Sequence, residues 1–292
     1  PGLRNPVWVS TDNLRDPSVL VVEGGYQIFY SRLVGPNWAS PDSWTIARAF
    51  TRDFSRFEDI TDVSPKGYAS PGDIVPWHGR WLLPYQSYPA QPTRLCVSES
   101  RDLKSWSAPR VFLAEAAELP WNTYRRVIDP TFVVEGDTLH CYFVGSADVT
   151  DVAGKKLRAN LLGHAITRDP ALARWEILSR EAPLLGHSAT APDGVENVMV
   201  LRTGDHWTMI YSEGLARQRL ALATSRDLRR WTLEGPIAVP RQKWMARKYG
   251  APFVWRDGNG WRMILMGEND QRRTTFGLLS SPDGRHWTPL PE

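Results

Sequence analysis

The chain has 292 residues, enough for a full hydrophobic core and too many for a small disulfide-stapled scaffold. Its 35 basic and 32 acidic side chains leave a net charge of +3, too weak a bias for a nucleic-acid surface, and no basic run carries interleaved aromatics. No apolar segment approaches membrane-spanning length, so neither nucleic acid nor membrane is expected as a partner. The N-terminal PGLRNPVWVS holds no apolar signal region, which leaves the compartment open between cytoplasm and, if a signal has been processed, export. Cys96 and Cys141 each fall inside a strand-like run and are expected to be free, buried thiols; two cysteines are too few for a zinc cluster. The 14 Trp, 23 Pro and 22 Gly suit many short strands and turns.

In chain order, five similar units follow one another. The first opens at Arg15 with RDPSVLVVEGGYQIFYS, continues through the strand TIARAF and turns at TRDFSRF from Thr51. The second opens at Pro71 with PGDIVPWHGRWLLPYQS and turns at SRDLKSW from Ser100. The third opens at Ile128 with IDPTFVVEGDTLHCYFVGS and turns at TRDPALARW from Thr167. The fourth runs from Val195 (VENVMVLRTGDHWTMIYSE) to SRDLRRW at Ser225, and the fifth from Gly250 (GAPFVWRDGNGWRMILMGE) to SPDGRHW at Ser281. Each unit reads as strand, polar or Gly turn, strand, then a second hairpin whose turn is closed by an Asp and whose exit strand begins with an aromatic. Asp53, Asp102, Asp169, Asp227 and Asp283 are therefore turn-closing residues, because Asp side chains bond their own backbone in such turns. Four strands per unit, five units and no long helical periodicity predict an all-β, five-bladed β-propeller in a single domain over residues 1–292. PVWV near the N-terminus is placed to pair with the last blade.

Residues that build blades should repeat, whereas residues that do chemistry need not. Aligned on their first residues, the opening strands carry Asp16 in blade one, Asp129 in blade three and Glu196 in blade four. Blade two offers Pro71, with Asp73 two positions on, and blade five Ala251. Pro cannot donate to a strand ladder, so Asp129-Pro130 marks a strand mouth. If the opening strands all start at one face of the central channel, three carboxylates converge there. Like charges in a semi-buried pocket split their pKa values, which is what glycoside hydrolysis needs: one carboxyl protonated as acid and another ionised as base.

NLRDPSVLVVEGGYQIFYS, VIDPTFVVEGDTLHCYFVG and VENVMVLRTGDHWTMIYSEG resemble the three signature strands of glycoside hydrolase family 43 and its clan relatives, in blade order and in the separation of the acids. Blade four departs from the family's Glu-Ala-Pro with Glu196-Asn197-Val198. The resemblance implies a glycosidase, usually inverting, with Asp16 as general base, Asp129 as modulator of the acid and Glu196 as general acid. Its implied substrates are arabinofuranosides or xylosides in oligo- or polysaccharides. Inversion requires the two catalytic carboxyls about 6.5–9.5 Å apart. Some relatives hold a calcium ion or a water cluster in the channel through a blade-five His. RKYGAPFVWRDG lacks that His, with Lys248 or Tyr249 in its place, so no cofactor or metal is expected.

Around the acids, Arg15 and Arg126 are candidates to orient a carboxylate or a sugar hydroxyl. Trp38, Trp77 and Trp121, in loops or at strand ends, are candidate stacking surfaces for sugar rings. Asp73 is a candidate subsite residue, and His187 a candidate to enter the site from the loop before Glu196. Three alternatives stay open. Family 117 anhydro-galactosidases share five blades and use a His acid, for which His187 stands ready. Family 32 β-fructosidases share Arg-Asp-Pro but carry a nucleophile strand that STDNLRDPSV does not supply. The third is a non-catalytic carbohydrate-binding propeller.

Overall fold

The computed structural model describes residues 2–292, as five twisted four-stranded antiparallel sheets with three single-turn 3-10 segments as the only helical pieces among them. Blade one comprises β1 (Asn13–Val22), β2 (Gly25–Leu33), β3 (Trp44–Thr51) and β4 (Glu58–Asp62). Blade two has a split inner strand, β5 (Tyr68–Ala69) and β6 (Val75–Trp77), both paired with β7 (Arg80–Ser87), followed by β8 (Leu95–Ser100) and β9 (Arg110–Val111). Blade three is β10 (Ile128–Glu135), β11 (Thr138–Thr150), β12 (Lys156–Thr167) and β13 (Glu176–Ile177). Blade four is β14 (Val195–Thr203), β15 (His206–Glu213), β16 (Arg219–Ser225) and β17 (Thr232–Pro236). Blade five is β18 (Lys248–Asp257), β19 (Gly260–Glu268), β20 (Thr274–Ser281) and β21 (Thr288–Pro289). The innermost strands contact one another around the ring, giving the five-bladed propeller.

The repeated Asp turns have one physical cause. Asp102 Oδ1 accepts the N–H groups of Lys104 and Ser105, both at 2.8 Å, and Asp227 and Asp283 make the same pair of bonds two and three residues on. Asp169, in the longer third turn, accepts from Ala171, Ala173 and Arg174, and Asp53 from Ser55. In every copy the chain passes through a left-handed residue: Phe54, Leu103, Leu172, Leu228 or Gly284. The side-chain acceptors replace the ladder bonds that such a residue breaks. The exit tryptophans pack inward, and Trp175, Trp231 and Trp287 return their indole N–H to the carbonyl of that same left-handed residue.

Sheets pack face to face through apolar clusters between blades: Phe132, Phe143 and Leu161 among others between blades two and three, and Trp261, Ile264 and Phe276 where blade five meets blades one and four. Cys96 and Cys141 are buried and free. The seam between first and last blades is closed by the N-terminal segment. Trp8 pairs with Phe276 of β20 through two backbone hydrogen bonds of 3.3 Å, beside the stretch of β20 that β21 covers. The Asn5 amide adds a two-way bond to Leu278, at 2.8 and 2.9 Å. No helix among the described residues is long and apolar enough to cross a membrane.

Candidate active site

A break in strand register builds the site. In blades one, three, four and five the inner strand slips against its neighbour, between Arg15 and Ser18, Ile128 and Thr131, Glu196 and Met199, and Gly250 and Phe253. At each slip one residue is left-handed: Asp16 (φ +49°), Asp129 (+50°), Asn197 (+50°) and Ala251 (+49°); Ser70 (+53°) is its counterpart in blade two. Four of these five precede Pro, a position that ordinarily holds the chain extended, so each stores backbone strain of about 1–3 kcal/mol. The bulge also turns a backbone N–H out of the ladder, and the preceding blade accepts it. Ser70 N–H bonds Ser31 Oγ (2.6 Å), Ala251 N–H bonds Ser212 Oγ (3.0 Å), Asp129 N–H bonds Gln86 Oε1, and Asn197 N–H reaches Asp129 Oδ2 (3.4 Å).

This corrects the sequence alignment. The column that repeats is Asp16, Ser70, Asp129, Asn197 and Ala251, not one containing Glu196 and Pro71. Glu196 is one residue earlier, at the register position of Arg15: Arg15 faces Ser31 across its hairpin and Glu196 faces Ser212. Glu196 nonetheless shares a cavity with both aspartates. Asp16, Asp129 and Glu196 line one pocket of about 70 Å³ together with Arg15, Arg126, Trp38 and Tyr88. That is room for about five waters, the displacement of roughly one sugar ring.

Each acid is held differently. Asp16 Oδ2 accepts hydroxyl bonds from Ser31 (2.8 Å) and Ser70 (3.2 Å), which fix its orientation. Asp129 is buried at its strand mouth. Burial raises its pKa above the ordinary carboxylate range, and the Glu196 and Asp16 charges raise it further against the pull of Arg126. Glu196 is also raised by burial, opposed by Arg126, Lys248 and Arg15. For both groups desolvation is the larger cause of the rise, ahead of like-charge repulsion. Two amides grip Glu196: Asn160 Nδ2 donates to Oε2 at 3.1 Å, and Gln218 Nε2 to Oε1. Asn160 is itself fixed, its Oδ1 accepting from Ser146 Oγ (2.8 Å) and Arg126 (3.1 Å). Gly194 (φ +91°) makes this approach possible, since a Cβ there would lie 1.9 Å from the Asn160 carbonyl oxygen.

The other candidates divide. Arg15 and Arg126 line the acid pocket, and the Arg15 guanidinium sits 5.0 Å from the Trp38 ring centre. Asp73 lies instead in an adjoining channel cavity of about 30 Å³, which shares Asp16, Ser70, Asp129 and Asn197 with the acid pocket. Burial alone pushes its carboxyl up to about 8. Trp77 lines neither cavity; it ends β6 and is buried between blades two and three, sealing the blade interface. Trp121 is likewise buried there, its indole N–H donating to the Ser179 carbonyl at 2.7 Å. His187 is solvent-exposed and lines neither cavity, which leaves it out of reach of an acid role beside Asp16.

Blade five presents Ala251, Pro252 and Phe253 to the channel, and among the described residues no group of three or more His, Cys, Asp or Glu is arranged to hold a metal. Sequence reasoning missed Ser31, Ser70, Gln86, Tyr88, Asn160 and Gln218. One signal was there: FYS, YQS, VGS and IYS end the second strands of four units, and Ser31, Ser146 and Ser212 are the hydroxyls that tie the site together.

No family model and no curated protein matches the sequence. Solved structures do match the fold. A protein described as a glycoside hydrolase superposes with a TM-score of 0.76 at 12% identity, over 96% of this chain and 90% of that one. A GH43 β-xylosidase/α-arabinofuranosidase from a compost microbial metagenome, in complex with xylotriose, gives 0.68 at 13% identity over 100% and 99%. The catalytic domain of a GH62 α-L-arabinofuranosidase from Coprinopsis cinerea gives 0.66 at 15% identity over 96% and 95%. At these identities the likeness is one of fold.

Proposed function

We propose that the chain is an inverting glycoside hydrolase that cleaves arabinofuranosides or xylosides in oligo- or polysaccharides. The observation that carries this reading is the pocket in which Asp16, Asp129 and Glu196, from three separate blades, stand together with unequal surroundings. Names of the structural neighbours, a xylosidase and arabinofuranosidases, agree with the substrate class. Asp16, oriented by its two hydroxyl donors, takes a proton from a water as that water attacks the anomeric carbon. The bond from that carbon to the leaving oxygen breaks, and Glu196, whose proton affinity burial raises, delivers its proton to the oxygen. Asp129, its carboxyl pushed up to about 7 by burial and by the Glu196 and Asp16 charges, shares the pocket with Glu196 and holds its strand through the Asn197 N–H. Arg15 and Arg126 are placed to bind sugar hydroxyls, and Trp38 to cover a ring face.

The test is a panel of nitrophenyl arabinofuranosides, xylosides and galactosides, with the released sugar's anomer followed by proton NMR. Glu196→Ala should lose about 10²–10⁴-fold on leaving groups that need a proton and far less on a dinitrophenyl leaving group. A Glu196→Ala enzyme with undiminished rates, or a retained anomer, would remove the proposed assignment.

A further inference from the structure

A second concave surface lies on the same face as the acids, between blades two and three. It is a groove of about 720 Å³ bordered by Gln91, Pro92, Val111, Ala117, Tyr124 and Arg125. Its wall toward the acid pocket is one short segment. Arg125 is left-handed (φ +51°), so successive side chains part there: Arg126 lines the acid pocket, while Tyr124, Arg125 and Val127 line the groove. Two residues of backbone span at most about 7 Å, so the groove begins within a sugar ring or two of the acids.

Tyr124 is pre-organised. Its backbone N–H bonds the Ser146 carbonyl at 3.1 Å, its hydroxyl donates to Asp148 Oδ1 at 2.7 Å, and the Arg158 guanidinium lies 4.3 Å from the ring centre. Arg158 and Asp148 hold the ring without lining the groove themselves, and 43% of Tyr124 remains exposed. The segment is anchored from beneath by Asn122, which is buried and bonds the carbonyls of Ala116 and Arg126 and the N–H of Ser146. A fixed aromatic ring beside amide, guanidinium and carboxylate groups suits the apolar C–H face and hydroxyl rim of a sugar. The groove's charges nearly cancel: Arg125 pairs with Glu118, leaving Arg94 and Glu115. That balance favours an uncharged ligand.

We propose that this groove is a binding site for an uncharged pentose oligosaccharide, with Tyr124 as its stacking platform, and that it carries the chain beyond the sugar held among the acids. The proposal rests on the glycosidase reading for its substrate class, and the experiment separates the two. Xylohexaose and arabinohexaose are titrated calorimetrically into the full chain carrying Asp16→Asn, which leaves the ligand intact, with and without Tyr124→Ala or Tyr124→Phe. Tyr124→Ala should weaken binding of one hexaose about tenfold, and Tyr124→Phe, which keeps the ring, should restore most of it. In the parent enzyme the Tyr124→Ala loss in kcat/KM on that hexaose should exceed the loss on the matching nitrophenyl glycoside at least about fivefold. Equal losses on both substrates, equal hexaose affinity with and without the ring, or no binding of either hexaose would overturn the groove. Ring-dependent hexaose binding by a chain that cleaves no glycoside would support the groove and count against the hydrolase.

Discussion

The backbone N–H of Asn197 lies 3.4 Å from Asp129 Oδ2, so the strand that carries Glu196 is tied to the acid of the neighbouring blade. One carboxylate therefore fixes the position of a second and also its proton affinity, since Asp129 and Glu196 oppose one another's ionisation.

Asp129→Asn separates these effects. The amide oxygen still accepts the Asn197 N–H, while the negative charge beside Glu196 is gone. Glu196 should lose its proton more readily, moving the alkaline limb of the pH–rate profile to lower pH. The turnover number should fall about 10²–10³-fold, within the range of a general-acid contribution. The profile of kcat/KM against pH reads both, and an unmoved alkaline limb would separate Asp129 from the acid's titration.

Ser31 is a smaller part with two loads. Its buried hydroxyl donates to Asp16 and accepts from the Ser70 N–H. Ser31→Ala leaves that N–H without its acceptor, at a cost of about 1–3 kcal/mol, and frees Asp16 to rotate. The expected result is a lower urea midpoint together with about tenfold slower turnover and little change in KM. A variant slowed without being destabilised would mean that the Ser70 bond is dispensable.

The repeat made the architecture legible, because Asp turns and exit aromatics recur at sites where every blade needs the same backbone. Asp16 and Asp129 were readable for the opposite reason: they interrupt a column that other blades fill with Ser, Asn or Ala. Glu196 was placed in the right pocket from the wrong column, since a one-residue bulge shifts which side chain faces the channel and composition does not reveal a bulge. Trp77 and Trp121 were misplaced because an aromatic at a strand end reads the same whether it seals a blade interface or faces solvent. Asn160 and Gln218 escaped notice because they come from the third strands of blades three and four, or just before one, far in sequence from the acid they grip.

Two histidines outside the site contribute to the molecule's response to acid. His140 Nδ1 and His164 Nε2 are 3.0 Å apart and buried, and Tyr142 stacks on His164 at 4.4 Å. Burial lowers His140 to about 4 and His164 to about 3. The unfolded chain takes up these protons near pH 6.5, whereas the folded one refuses them until far lower pH. The histidines' contribution to stability is therefore full above pH 6.5 and is lost as pH falls toward the folded values, by about 1.4 kcal/mol per unit for each histidine. Asp73 and Asp129, whose raised carboxyls take up protons first in the folded chain, offset this loss over the same range, so the histidines are read by difference: from pH 7.5 down to 4.5 the urea midpoint of His140→Gln should rise relative to that of the parent. Parallel curves for the two proteins would assign the acid sensitivity elsewhere.

Trp8 bears on the integrity of the ring. It is 7% exposed, stacks on Phe57 of blade one at 4.0 Å, and meets Phe276 of blade five edge-on at 6.0 Å while its backbone pairs with the same residue. One side chain thus bridges the first and last blades. Truncating it removes a large aromatic from a packed seam, a change that costs about 3–5 kcal/mol. For a chain of this length each kcal/mol is about 2–4 °C in midpoint, so Trp8→Ala should melt on the order of 10 °C lower, and Trp8→Phe, which keeps the stack, much less. The acids lie at the strand mouths and not at this seam, so turnover at 20 °C should stay within a few-fold of the parent. Scanning calorimetry beside a rate assay decides it: a melting point lowered by only about a degree would mean that the Asn5 bonds and β21 hold the seam without the indole.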